Sequence, residues 1–279
     1  MLQNDFPGLH TADINGLSVR YLDIGEGPTL LLVHGFLVSH LEWEAVLPLL
    51  TPHFRCIVPD LPGFGKSAKP PQHEYPYSAE SFADTLQLLL KHLEINRAHV
   101  CGHSMGGGIS ITFASKYAES VEKLTLIDSA CYPFDLPLKA RIPTIPILGP
   151  MVFRHIYRRP IFRDYFKNDV FNGSAACNID RVDAYYDDFS TREGREAAWS
   201  TFQGSIVDVS PIAARVVRIA ASTLVVWGSN DRIFPRSLAQ RLAAEIPEST
   251  LELLPGCGHA PNEEQPEALA SLLIAHHLS

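Results

Sequence analysis

Three residues in this sequence have the types and the chain order of a nucleophile, an acid and a base. Ser104 stands in Gly102-His103-Ser104-Met105-Gly106, a G-x-S-x-G pattern. Small flanking residues let a strand turn abruptly into a helix, with a strained serine at the apex and its hydroxyl above the sheet's carboxyl edge. The next backbone N–H then lies at a helix start, where donors are unsatisfied and the dipole favours anions. A glycine-rich helix entry without chemistry has the same five letters, so context must separate the two. An apolar run precedes the motif, and Ile109 to Tyr117 can continue as a helix, which is the setting the pattern needs.

A serine hydroxyl needs a base. Among 12 histidines, His259 stands out in Gly256-Cys257-Gly258-His259-Ala260-Pro261, in the loop after the last strand-like run. His10, His40, His53, His73, His92, His276 and His277 read as surface residues, His99 as part of a strand, and His155 as a residue of an inserted segment. The base needs an anionic partner to hold its tautomer. Asp231 follows an apolar strand and precedes His259, giving the order Ser, Asp, His. Asp128, after the preceding strand, is the alternative acid, and Asp60 reads as a turn cap. An oxyanion needs two converging N–H donors. Met105 supplies one, and Phe36, in His34-Gly35-Phe36-Leu37 after the third strand, the other, with Gly35 allowing the bend. Leu37 and His103 are the candidate substrate contacts.

The elements that must position these groups are legible as apolar runs. They are Leu17–Ile24 after the turn dipeptide Asn15-Gly16, then 29–33, 55–58, 98–101, 124–127, 223–227 and 250–254. Runs without alternation predict strands covered on both faces, as in a parallel sheet. Helical periods lie between them, at 78–93 with Ser78 as cap, at 236–246 and at 266–278. The expected class is α/β, with a mostly parallel central sheet and helices on both faces. Residues 130–211 break the alternation with seven prolines and no clear strand. That is too long for a plain loop and reads as a helical cap inserted after the sixth strand. Residues 1–129 and 212–279 then form the core domain. In the cap, Leu136, Ile142, Ile145, Ile147, Leu148, Met151, Val152 and Phe153 either line an acyl pocket or form core between helices. Arg154, Arg158, Arg159, Arg163 and Lys167 form a basic run, most simply a solvated face.

Composition bounds the partners. The net charge of −8 argues against general nucleic-acid binding. The longest apolar stretch, 142–153, contains three prolines and is too short to cross a bilayer. Met1 to Phe6 has neither a basic start nor an apolar run, so no signal peptide is read there. Five cysteines without a CxxC spacing suggest free thiols in a reducing, cytoplasmic setting, and neither a disulfide framework nor a zinc site. No metal or cofactor is called for. The expected partner is a small-molecule ester, with no stable membrane insertion and a monomeric or homodimeric state.

Taken together, the chain resembles the α/β-hydrolase fold family over nearly its full length. The resemblance is carried by His34-Gly35-Phe36, Asp60-Leu61-Pro62-Gly63-Phe64-Gly65-Lys66-Ser67, Gly102-His103-Ser104-Met105-Gly106-Gly107, Gly228-Ser229-Asn230-Asp231 and Gly258-His259. It implies Ser104 as nucleophile, His259 as base, Asp231 as acid, Phe36 and Met105 as oxyanion donors, and a helical cap. The Asp60–Ser67 loop would shape the rim of the site. Haloalkane dehalogenases and most epoxide hydrolases of this family place a carboxylate at the nucleophile, so Ser104 points instead to esters and a carboxylesterase-type enzyme. Carbon–carbon hydrolases of ring-cleavage dienoates usually show Asn before the serine and small residues after His-Gly. This chain has His103 and Phe36-Leu37-Val38 there. Lactonase and cofactor-free perhydrolase activity share the same triad, and some triad-bearing relatives act as ligand receptors.

Overall fold

The computed structural model describes residues 8–135, 142–145, 148–173 and 177–279. Eight strands form one sheet: β1 (Leu9–Ile14), β2 (Leu17–Ile24), β3 (Thr29–Val33), β4 (Arg55–Pro59), β5 (Ala98–His103), β6 (Val121–Ile127), β7 (Thr223–Gly228) and β8 (Ser249–Leu254). Their order across the sheet is β1-β2-β4-β3-β5-β6-β7-β8. β1 and β2 form an antiparallel hairpin on Asn15 and Gly16, both at positive φ, as a tight two-residue hairpin turn demands. β2 also meets β4 antiparallel, and every other pairing is parallel.

The unalternating runs have a direct physical reason. Successive residues of a strand point to opposite faces. Leu31 and Val33 of β3 enter one core with Ile57, Val100, Leu126 and Val225, covered by α1 (Ala79–His92) through Phe82, Leu86 and Leu89. Leu30 and Leu32 enter a second core with Val58, Cys101 and Val226, covered by Trp43 and by Leu269 and Leu273 near the C-terminus. Both faces are dry, so both parities are apolar. Ser78 caps α1 by accepting from the Ser81 N–H. β5 runs through His103 directly into α2 (Met105–Lys116).

Between β6 and β7 the described residues contain helices and no strand. The principal ones are α3 (Arg159–Tyr165), α4 (Ile179–Phe189) and α5 (Arg192–Thr201), and α3 and α5 each continue into a π-helical turn, Phe166–Val170 and Phe202–Ile206. Asn178 and Thr191 cap α4 and α5. This segment has its own aromatic core of Phe153, Phe162, Phe166, Phe171, Tyr185, Phe189 and Trp199, which also takes in Leu37, Val38 and Leu41 from the loop after β3. The chain returns through β7, α6 (Ser237–Glu245), β8 and α7 (Pro266–Leu278).

The apolar residues expected to line a pocket or fill a core divide. Val152 and Phe153 are buried, whereas Ile145, Leu148 and Met151 are exposed. Leu136, Ile147 and the Ile142 side chain lie outside the described residues. Much of the basic run is ion-paired within the same segment: Arg159 with Asp183 and Asp187, Arg163 with Asp183, and Arg154 with Glu196. Cys56, Cys101, Cys131, Cys177 and Cys257 are free and buried. No helix among the described residues is long and apolar enough to cross a membrane.

Candidate active site

Ser104 sits at φ 54° and ψ −117°, a region that non-glycine residues rarely occupy. The strain is held from both sides. Its N–H donates to the Ile127 carbonyl at 2.9 Å, and its carbonyl accepts from Ala130 at 2.9 Å and Gly107 at 3.0 Å. The surrounding glycines answer to close approach. A Cβ at Gly102 would lie 2.3 Å from the Gly106 carbonyl oxygen, and one at Gly106 would lie 2.2 Å from the Val33 carbonyl oxygen. Helix α2 can therefore touch the sheet only with hydrogen at these positions.

The structure brings Ser104, His259 and Asp231 into one chain of contacts. Ser104 Oγ lies 2.9 Å from His259 Nε2, and His259 Nδ1 lies 2.9 Å from Asp231 Oδ2. A carboxylate only accepts, so Nδ1 carries the proton and Nε2 faces the hydroxyl with a lone pair. Asp231 is itself fixed, its Oδ1 accepting from Ile233 at 2.7 Å and Phe234 at 3.1 Å. Burial raises the Asp231 carboxyl, but the neighbouring His259 and these hydrogen bonds outweigh it and hold the group below the usual carboxylate range. Every polar atom of His259 is engaged, because its N–H donates to the Val170 carbonyl at 2.8 Å and its carbonyl faces His103 Nε2 at 2.7 Å.

Asp128, the alternative acid, is close but makes no hydrogen bond to His259. Its Oδ1 accepts from the Gly228 N–H at 2.9 Å, and its buried Oδ2 has no N–H donor, so that a proton held there is shared with the Asp231 carboxyl. One side-chain atom from each of Asp128, Asp231 and His259 lies within 4.8 Å of the other two. Burial, and then the charge on Asp231, push the Asp128 carboxyl well above its usual range, so one carboxyl of this pair is neutral while the other is charged.

The loop after β3 is held by His34. The Leu61 N–H donates to His34 Nε2 at 2.9 Å, so His34 Nδ1 bears the proton and donates to the Gly35 carbonyl at 2.8 Å. Burial lowers the His34 pKa, in keeping with this neutral form. The Gly35–Phe36 peptide is trans, so with its carbonyl turned to His34 the Phe36 N–H points the opposite way. Met105 opens α2, where the first N–H groups have no partner within the helix. Gly35 is not at positive φ. Its small size matters because a Cβ would crowd His103 Nδ1 at 3.2 Å and Ser104 Cβ at 3.3 Å. Leu37 is at φ 63°, is buried, and lines a neighbouring cleft with Gly63, Phe64, Tyr185 and Asp188.

A narrow cleft opens beside Ser104, lined by Phe36, Val38, Glu42, His103, Tyr165, Phe166, Val170 and Glu263 among others. His103 borders it, but both ring nitrogens are engaged, Nδ1 with Glu42 Oε2 at 3.0 Å and Nε2 with the His259 carbonyl. It has no free polar atom to offer a substrate.

The sequence reading passed over several residues here. Glu42 is buried beside the nucleophile with no motif to flag it. Arg181 of α4 donates to Glu44 at 2.6 Å and Glu263 at 3.0 Å, clasping the helical segment onto the sheet domain. Burial outweighs the attraction of Arg181 and pushes Glu263 up to about 7. Tyr165, Phe166 and Val170 wall the cavity from a π-helical turn and the residue before it. His40 and His277, read as surface residues, are buried. His40 lies with its Nδ1 2.8 Å from Asp60 Oδ1, and Asp60 also accepts from the Lys66 N–H, so that aspartate is a buried hub beyond a simple turn cap. His277 faces Thr125 Oγ1 at 3.0 Å.

A family model for the alpha/beta hydrolase fold matches residues 28–266. The chain belongs to the α/β-hydrolase fold family. This hydrolase is 31% identical to the uncharacterized hydrolase YugF of Bacillus subtilis, over 95% of this chain and 94% of that protein. It is 27% identical to a 2-hydroxy-6-oxo-2,4-heptadienoate hydrolase of Pseudomonas putida, over 90% of this chain and 89% of that one. In structure it is similar to a meta-cleavage product hydrolase from Pseudomonas fluorescens, with a TM-score of 0.82, 24% identity and 96% of both chains covered. That likeness concerns the fold.

Proposed function

We propose that this hydrolase cleaves carboxylic esters of small to medium apolar acids through an acyl-enzyme. Ser104 Oγ attacks the ester carbon while His259 Nε2 takes its proton. Asp231 holds the His259 tautomer and balances the imidazolium. The tetrahedral oxyanion rests on the Phe36 and Met105 N–H groups. His259 then protonates the leaving alkoxide, and water repeats the sequence in reverse to free the acid. Residues 130–211 serve as the lid over a core of 1–129 and 212–279, and Leu37 shapes the acyl side of the site.

The observation that carries the ester reading is the lining of the cavity over Ser104. It holds aromatic and aliphatic side chains and the carboxyl groups of Glu42 and Glu263, with neither lysine nor arginine among its described residues. A ring-cleavage dienoate carries a carboxylate for which this wall offers no unpaired cation among its described residues, Arg181 being paired with Glu44 and Glu263, whereas a neutral ester needs none. Carbon–carbon hydrolysis is the second reading, supported by the Pseudomonas putida relative. The test is a panel of p-nitrophenyl esters of increasing acyl length, lactones and a ring-cleavage dienoate. The ester reading predicts turnover of p-nitrophenyl butyrate with kcat/KM at least about 10³-fold above the dienoate's, in the range of discrimination that an unpaired buried charge supports. Preference for the dienoate reverses the assignment. Binding of a small apolar ligand without turnover of any ester points to a receptor.

A further inference from the structure

Glu42 joins three segments of the site. Its Oε1 accepts from the Gly35 N–H at 3.1 Å, in the loop that carries Phe36. Its Oε2 lies 3.0 Å from His103 Nδ1, the residue before the nucleophile. Its main-chain carbonyl accepts from Asn262 Nδ2 at 2.8 Å, just past the base. His103 Nε2 completes the circuit at the His259 carbonyl, 2.7 Å away. Both side chains are nearly solvent-free, at 1% exposure for Glu42 and 6% for His103.

The chemistry of these contacts fixes a proton. A carbonyl oxygen only accepts, so His103 Nε2 carries hydrogen. The contact between His103 Nδ1 and Glu42 Oε2 then needs one further proton, held as imidazolium with carboxylate or as imidazole with carboxylic acid. Without it, His103 has a single N–H and must give up either Glu42 or the His259 carbonyl.

We propose that Glu42 and His103 form a positioning brace, sharing one proton, that holds the oxyanion loop, the elbow and the base loop in mutual register. The idea rests on the assignment of Ser104 and His259 above, which it deepens. Neither residue touches the reacting atoms. The charged and titratable groups around the pair are His34 behind Glu42, Cys101 on β5, His259 beside the His103 ring, Glu263, and Arg181 and Tyr185 from α4. Burial disfavours a charged His103, but Glu42, with help from Glu263, overcomes it and raises the imidazole above its ordinary pKa. Loss of the shared proton is therefore shifted to the alkaline side of a free imidazole's.

Glutamine at position 42 separates geometry from charge. Its amide can donate to an unprotonated His103 Nδ1 while its oxygen still accepts from Gly35, so every contact survives with no proton to lose. The experiment compares wild type, Glu42→Gln and Glu42→Ala. It measures the rate at which a fluorophosphonate probe labels Ser104 between pH 7 and 10, with thermal unfolding beside it. This readout needs no knowledge of the substrate. E42A should label about 10²-fold more slowly at pH 7.5, the scale of a misplacement near 1 Å. E42Q should stay within about fivefold of wild type. Wild type should lose rate on the alkaline side, and E42Q should stay level there. Equal labelling by E42A and wild type overturns the brace, as does E42Q behaving like E42A. An alkaline profile common to wild type and E42Q removes the shared proton. If E42A does not fold, the E42Q profile still decides. A wild type that never labels sinks the triad assignment instead.

Discussion

Two aspartates end adjacent strands beside one histidine, and replacing each with asparagine should have opposite consequences. In Asp231→Asn the amide oxygen keeps the Ile233 and Phe234 N–H groups, which hold it at 2.7 and 3.1 Å. The amide nitrogen then replaces Oδ2 opposite His259 Nδ1, a donor facing a donor at 2.9 Å. The imidazole relieves this by moving its proton to Nε2, where it can no longer accept from Ser104. A wrong tautomer of this kind costs about 10⁴ in kcat in serine hydrolases of this geometry. That is about 5.5 kcal/mol of transition-state stabilisation. Asp128 differs because burial and Asp231 keep it uncharged. In Asp128→Asn the oxygen still accepts from Gly228, and the NH₂ group replaces the protonated Oδ2 as a donor toward Asp231. No charge is removed, so kcat should fall less than about fivefold and unfolding free energy should change by about 1 kcal/mol or less. The assay is kcat for p-nitrophenyl butyrate at pH 7.5, with urea unfolding of each variant. A loss of about 10⁴ in D128N, or near-wild-type turnover in D231N, refutes the assignment of the two carboxyls.

Other substitutions probe the same construction. Ser104→Ala should remove ester turnover by about 10⁶-fold while leaving the unfolding midpoint near wild type, and substantial residual turnover would contradict the nucleophile assignment. Gly106→Ala places a Cβ 2.2 Å from the Val33 carbonyl and should destabilise by about 3 kcal/mol in urea titration. Glu263 has a folded-state pKa of about 7 against an ordinary 4.5, so the native state binds its proton more tightly than the unfolded chain. Its contribution is fully present below pH 4.5 and declines as pH rises through 7, a change of about 3 kcal/mol. Glu263→Gln should abolish that slope, so the wild-type-minus-variant difference in unfolding free energy should shrink over this window. A pH-independent difference would contradict the raised pKa.

How much was legible depended on whether a contact left a local signature. β3 and β7 announce themselves because both their faces are buried, so the apolar run is continuous. Ser104 and Asp231 each follow such a run within a few residues and His259 follows the half-exposed edge strand β8, and the structure brings the three together. Glu42 gives no such signal: it lies 61 residues from His103 in a single short 3₁₀ turn, His40–Trp43, and only the return of β5 beside β3 makes them neighbours. His40 failed for a related reason, since a loop position reads as solvent until Asp60 is known to lie beneath it. The cavity wall was the least readable, because Tyr165, Phe166 and Val170 reach it through a π-helical register that an α-helical period does not express.

The hydrogen bond from the His259 N–H to the Val170 carbonyl ties the helical segment to the loop that carries His259. A displacement of Val170 away from the sheet breaks that bond and leaves the His259 main chain with its carbonyl contact to His103. Movement of the helical segment is in this way felt directly by the residue that faces Ser104.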